Sequence, residues 1–152
     1  VSAWSIERKR NNTGDCNVIT PEQLAKSGTE HGHQTALFCW AAMNLEKYPE
    51  LKWMHAIPNG GYRNKTEAGR LKAEGVKAGV SDVFLPVESG CYHGLYLEMK
   101  KPGEKASAKQ LEFGAFVKTQ KYAFYVCDHW QKARDVLIKY FENPDLTLDI
   151  VF

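Results

Sequence analysis

A short apolar run headed by an acid and, just after it, a stretch of alternating apolar and polar positions lie close together in the middle of this chain. In residues 93–101, Leu95, Leu97 and Met99 alternate with Tyr96, Glu98 and Lys100, which predicts a strand with one buried face and puts Glu98 and Lys100 together on the other. A second strand is expected over residues 82–87, opened by Asp82 after the turn-like Gly79-Val80-Ser81. Residues 53–57 read as an earlier strand, broken by Pro58-Asn59-Gly60-Gly61, and residues 122–128 as a later one. The Gly-rich bend is turn chemistry, or a place where backbone amides approach a phosphate.

Helical spacing separates these strands. Thr20-Pro21-Glu22-Gln23 carries an N-cap, a proline at the first helical position and a capping-box glutamine, so a short helix should run to Ser27 and stop at Gly28. Residues 30–47 predict the first long helix, with Glu30, Gln34, Phe38, Ala41 and Leu45 on one stripe. Asn64, with Glu67 at the capping-box position, predicts a helix to Glu74 ended by Gly75. Ser107 starts another, and Trp130 to Phe141 a last one with Ala133, Val136, Leu137 and Tyr140 inward, stopped by Asn143-Pro144. The tail alternates Leu146, Leu148, Ile150 and Phe152, the pattern of a strand or an interface segment. Residues 1–17 show no sustained periodicity. The expected organisation is an arm and short helix over 1–28, one domain over 29–142 and a tail over 143–152.

Composition narrows the class. The 152 residues suit one domain with a real core, and no apolar run suggests a membrane span or a signal peptide, so an intracellular protein is expected. Cys16, Cys39, Cys91 and Cys127 are scattered without a Cys-x-x-Cys pair, which favours buried reduced thiols over a zinc ribbon or a disulfide framework. The net charge is only +2. Contact with a polyanion would therefore be local, and two clusters offer it: Arg63, Lys65, Arg70, Lys72 and Lys77, then Lys100, Lys101, Lys105 and Lys109. Each is otherwise a solvated face.

The candidate chemistry lies at Asp82, Glu98 and Lys100. If their two strands pair, two carboxylates and an ammonium converge at the sheet, and paired carboxylates suit a hard divalent cation that keeps several waters. An ion pair between Glu98 and Lys100 is the plainer alternative. Glu30, in the first turn of its helix, is by itself a dipole-favoured surface acid. His31 and His33, separated by a glycine with no third histidine near, read as solvated helix-end residues. Gln110, by its spacing, is the reciprocal partner of a Ser107 cap.

The order Ile57-Pro58-Asn59-Gly60-Gly61, Gly79-Val80-Ser81-Asp82, Leu97-Glu98-Met99-Lys100 and Ser107-Ala108-Lys109-Gln110 resembles the VRR-NUC family of the PD-(D/E)xK nuclease superfamily, with Ser81 where the nominal proline would stand. The resemblance spans about residues 30–140. It implies an α/β fold, a central mixed sheet flanked by helices, and Mg2+- or Mn2+-dependent hydrolysis of DNA phosphodiesters. Asp82 and Glu98 would hold the metal, with the Met99 carbonyl and Glu30 as further ligands; Lys100 would act on the nucleophile, and Gln110 would support the site. Arg63, Lys65, Arg70, Lys72 and Lys101 are the candidate DNA contacts. Small stand-alone members, typically from phages, resemble Holliday junction resolvases, which implies a homodimer on branched DNA in the cytoplasm of an infected or bacterial cell. The alternatives are a structure-tolerant nuclease on duplexes, flaps or single strands, an inactive DNA-binding module, and a structural protein with an incidental ion pair.

Overall fold

The segments headed by Asp82 and carrying Glu98 become paired strands of one sheet in the computed structural model, which describes residues 9–10, 16–17, 19–58 and 65–142. Two short strands, β1 (Lys9–Arg10) and β2 (Cys16–Asn17), pair antiparallel by themselves. The main sheet runs β3 (His55–Ala56), β4 (Val83–Leu85), β5 (Leu95–Met99), β6 (Ala123–Cys127), in that spatial order. Its first three strands are antiparallel and β5 with β6 is parallel. Val83 stands opposite Leu97, which sets Asp82, one residue earlier, beside Glu98. The two acids thus sit at the end of the central strand pair.

The described residues form five helices, α1 (Pro21–Ala25), α2 (Glu30–Met43), α3 (Lys65–Ala73), α4 (Ala108–Thr119) and α5 (Trp130–Glu142), of which α2, α4 and α5 pack on the sheet and α1 on α2. A 3-10 turn occupies Pro49–Trp53. One face of the sheet, with Leu85, Leu95, Leu97, Met99 and Cys127, forms a core with Ala36 and Leu37 of α2 and Ala133, Leu137 and Tyr140 of α5. Burial of a leucine as complete as that of Leu37 or Leu137 contributes about 1.5–3 kcal/mol. On the other face Phe84 stacks on Tyr96 at 4.4 Å between ring centroids, and Phe113 of α4 meets Tyr96 edge-on at 5.2 Å. Parallel strands need a crossover, and α4 is the crossover between β5 and β6. Its Gly114 is the point of closest approach: a Cβ there would lie 2.5–2.6 Å from Phe124 ring atoms.

Several expectations are corrected. The long helix ends at Met43, where Asn44 turns back to donate from Nδ2 to the Trp40 carbonyl at 2.8 Å. Its buried stripe is His33, Ala36, Leu37 and Ala41, leaving Glu30, Gln34 and Phe38 half-buried on the flank. Close approach to α1 fixes this rotation, since a Cβ on Gly32 would lie 2.9 Å from the Leu24 carbonyl oxygen. The strand expected at residue 53 starts at His55 because the 3-10 turn begun by Pro49 takes Trp53. The strand from Asp82 ends at Leu85, ahead of Pro86, which has no N–H for a ladder. Cys39 is half-buried, Cys127 buried and Cys91 exposed, so only part of the thiol expectation holds. Asn64, the bend at 59–61, Arg63, the tail from 143 and most of the arm lie outside the described residues. Among the described residues no helix is long and apolar enough to cross a membrane.

Candidate active site

Glu98 and Lys100 share the polar side of β5 and its continuation, and both are buried, Glu98 completely. Glu98 Oε1 accepts from Lys100 Nζ at 2.6 Å and from Gln110 Nε2. Its other oxygen, Oε2, is buried with no hydrogen-bond donor. Lys100 Nζ also donates to the Met99 carbonyl at 2.9 Å and to Glu30 Oε2 at 3.4 Å. Asp82, half-buried, accepts the Met99 N–H on Oδ2 at 2.9 Å. Glu30, Asp82, Glu98, Met99, Lys100 and Gln110 are therefore one cluster, drawn from the start of α2, the ends of β4 and β5 and the start of α4.

Local sequence explains how each group arrives. Thr29 caps α2 by accepting the Gly32 N–H at 3.0 Å, so Glu30 begins the helix at its positive end and reaches across to Lys100. Ser107 caps α4 through the Gln110 N–H at 3.4 Å. The two readings of Gln110 turn out to be compatible: its Oε1 accepts the Ser107 N–H at 2.8 Å to close the capping box, which leaves Nε2 for Glu98. Gln34, one turn beyond Glu30, makes no hydrogen bond to the cluster.

Burial sets the electrostatics. Loss of water, with the negative charge of Asp82 adding to it, pushes the Glu98 carboxyl up to about 8 against the opposing pull of Lys100. Burial alone would lower the Lys100 ammonium, but the hydrogen bond to Glu98 and the charges of Glu98, Glu30 and Asp82 hold it above its ordinary value. One ammonium thus serves three acids.

The donor set is oxygen only, from carboxylates and a main-chain carbonyl, the chemistry that magnesium and manganese prefer. The orphaned Glu98 Oε2 is a buried acceptor of the kind a cation would satisfy. Among the described residues no three His, Cys, Asp or Glu side chains form a ready-made cage. Magnesium does not need one, since it uses one or two carboxylates and keeps water in its other positions.

The basic candidates are dispersed. Lys65 begins α3 and Lys101 is exposed beside the buried Lys100, which is no part of a surface patch. Arg70 is exposed and pairs with Glu74 at 3.3 Å. Lys72 is exposed on the rim of a groove between α3 and α4. Sequence reasoning missed the burial of His33, whose Nδ1 accepts the Trp130 N–H at 3.3 Å while His31 is exposed as expected. The only signal for it was its position, four residues before Leu37 on the helix.

A family model, that of the VRR-NUC domain, matches residues 20–130. The chain belongs to the VRR-NUC family. A solved structure titled "VRR_NUC domain protein" is 28% identical, with a TM-score of 0.64, and the match covers 75% of this chain and 88% of that one. No curated protein matches the sequence. The mixed four-stranded sheet with helices on both faces is the fold shared with that VRR-NUC neighbour. The VRR-NUC match makes this a nuclease-type domain with DNA as its substrate.

Proposed function

We propose that the protein is an Mg2+- or Mn2+-dependent DNA endonuclease whose centre is the cluster around Glu98. The observation that carries this reading is the state of that carboxylate: fully buried beside Asp82, two donors on one oxygen and none on the other. An ion pair kept for stability alone has no use for a second acid, Asp82, close enough to raise the Glu98 carboxyl, or for a buried oxygen without a donor, which costs about 1–3 kcal/mol. Asp82 and Glu98 would hold the cation, with the Met99 carbonyl and Glu30 as further oxygen donors. When bound, the cation supplies Lewis acidity toward a phosphoryl oxygen and toward water. Lys100 holds its protons at the mouth of the carboxylate pair, where it orients the attacking water and offsets charge as the phosphorane-like transition state forms. Gln110 donates to the same Glu98 oxygen as Lys100 and helps fix its rotamer, so the carboxylate is positioned before substrate arrives.

Branched DNA is the proposed substrate and a homodimer the proposed working unit. One domain with one centre cuts one strand per encounter, whereas resolving a junction needs two cuts related by symmetry. With a net charge of only +2, affinity rests on local cations such as Lys72 and Lys101. The test is to incubate the protein with labelled four-way junction, flap, duplex and single-stranded DNA in magnesium, manganese, calcium or EDTA. Paired cuts in the junction with magnesium or manganese, and none with EDTA, are expected. Cleavage of linear duplex as fast as junction by a monomer would remove the branched-substrate reading and leave the endonuclease standing.

A further inference from the structure

Beside the cluster, α3 and α4 enclose a groove of about 960 Å3. Its apolar lining is Leu71 and Val76 from one wall and Val80, Phe113 and Phe116 toward the other. The rim is mostly basic, with Lys72, Lys77 and Lys109 against one acid, Glu112. On α4 the lining residues Lys109, Glu112, Phe113 and Phe116 follow at three- and four-residue steps, so they form one stripe, separate from the Gly114 and Val117 side buried on the sheet. Phe113 is held by its edge contact with Tyr96, but Phe116 is 62% exposed. A phenyl ring left in water in a groove lined by three lysines is not explained by the core, of which Phe116 is no part.

The groove leads to the catalytic cluster at both of its walls. Val80 is two residues before Asp82, and Lys109 immediately precedes Gln110, which bonds Glu98. The two walls are pinned there: Gly79, at φ +94°, passes so close to α4 that a Cβ would lie 2.9 Å from the Lys109 Cβ. The groove's walls are thus continuous along the chain with the segments that carry Asp82 and Gln110.

We propose that this groove grips an unpaired DNA strand next to the cleavage centre, a base stacking on Phe116 and the phosphates running past Lys72, Lys77 and Lys109. The inference rests on the nuclease reading above and names the part of the substrate that reading leaves open. Basic grooves with exposed aromatic rings suit single strands because every base offers a π-face, whereas a blunt duplex hides its bases in the stack. The rim's three cations against one anion favour a polyanion over a neutral peptide or a second copy of this chain.

The test measures anisotropy of labelled oligonucleotides in EDTA with the native protein and Phe116→Ala, a change at an exposed position that spares the core. Three probes of equal phosphate count are compared: oligothymidylate, the same backbone without bases, and blunt duplex. The native protein should bind oligothymidylate more tightly than the abasic strand, and Phe116→Ala should erase that preference by weakening oligothymidylate roughly 5- to 150-fold, the range of one stacked base. Phe116→Trp should preserve it. Equal binding of the two single strands by the native protein, or an unaltered preference in Phe116→Ala, would overturn the proposal. So would light scattering in which Phe116→Ala changes only self-association, since the ring would then face another copy. Any of these failures with duplex cleavage intact leaves the nuclease reading in place; loss of all cleavage in the native protein would count against that reading instead.

Discussion

Lys100 donates to three oxygens at once, those of Glu98, Met99 and Glu30, and a divalent cation would draw on the same three residues while taking the other oxygen of Glu98. Lysine and metal therefore share acceptors, and removing the ammonium should not weaken the metal. In Lys100→Met a calorimetric manganese signal should persist while the cleavage rate falls ~100-fold or more, the scale of a positioned acid-base group. An unchanged rate would make Lys100 a structural charge. Arginine should not restore the rate, being planar and effectively never neutral. Gln110 bonds in two directions, to the Ser107 N–H and to Glu98. Its replacement by alanine should cost about 1 kcal/mol in urea unfolding, the usual worth of a cap, and also slow cleavage. A stability loss with full activity would confine Gln110 to the cap. Of these residues, Asp82, Glu98 and Lys100 were legible in the sequence, because strand alternation and one register shift suffice to put them together. The dual role of Gln110 was half legible: a capping box is local, but the reach of its Nε2 depends on where α4 lands on the sheet.

Elements whose boundaries are set by their own residues came out close to expectation. The capping boxes at Thr20 and Ser107 mark helix starts as read, whereas α1 ends at Ala25 rather than Ser27 and α3 at Ala73 rather than Glu74, with the positive-φ glycines Gly28 and Gly75 just beyond. The rotation of α2 was not legible, since it is decided by the packing of Gly32 against α1 and not by any periodicity within residues 30–47. That rotation buries His33, which accepts the N–H of Trp130 at the start of α5. Burial lowers its pKa from 6.5, with the neighbouring His129 adding to this and Asp128 opposing. An imidazole with a folded pKa below its unfolded value takes up its proton first in the unfolded chain. Its effect is absent above about pH 6.5 and subtracts from stability as pH falls below it, by at most about 1.4 kcal/mol per pH unit. His33→Asn, which keeps an acceptor but does not titrate, should lose less stability between pH 7.5 and 5.5 than the native protein. Identical losses would place the sensitivity elsewhere. For α4, Gly114→Ala sets two effects against each other: helix propensity favours alanine by about 1 kcal/mol, whereas forcing a methyl onto the Phe124 ring costs about 1–3 kcal/mol. The clash should win, lowering the urea midpoint. A raised midpoint would show that the aromatic layer yields.

Across the whole molecule the sheet divides the labour. One face and its two long helices make the core, and the other carries the aromatic layer, α4 and the acidic cluster at the strand ends. Residue order along the chain could not reveal the groove, because α3 and α4 are separated by both central strands and meet only in three dimensions. The central claim is that Asp82 and Glu98 form an oxygen-rich metal centre for phosphodiester cleavage, and it predicts that losing either charge removes chemistry while sparing the fold. The most direct measurement is cleavage of labelled DNA with magnesium or manganese by the native protein, Asp82→Asn and Glu98→Gln, beside their circular dichroism and DNA affinity. The native protein should cut in either metal and stop in EDTA, while both variants should be folded, bind DNA and fail to cut. Full cleavage by either variant, or cleavage by the native protein in EDTA, would contradict the account.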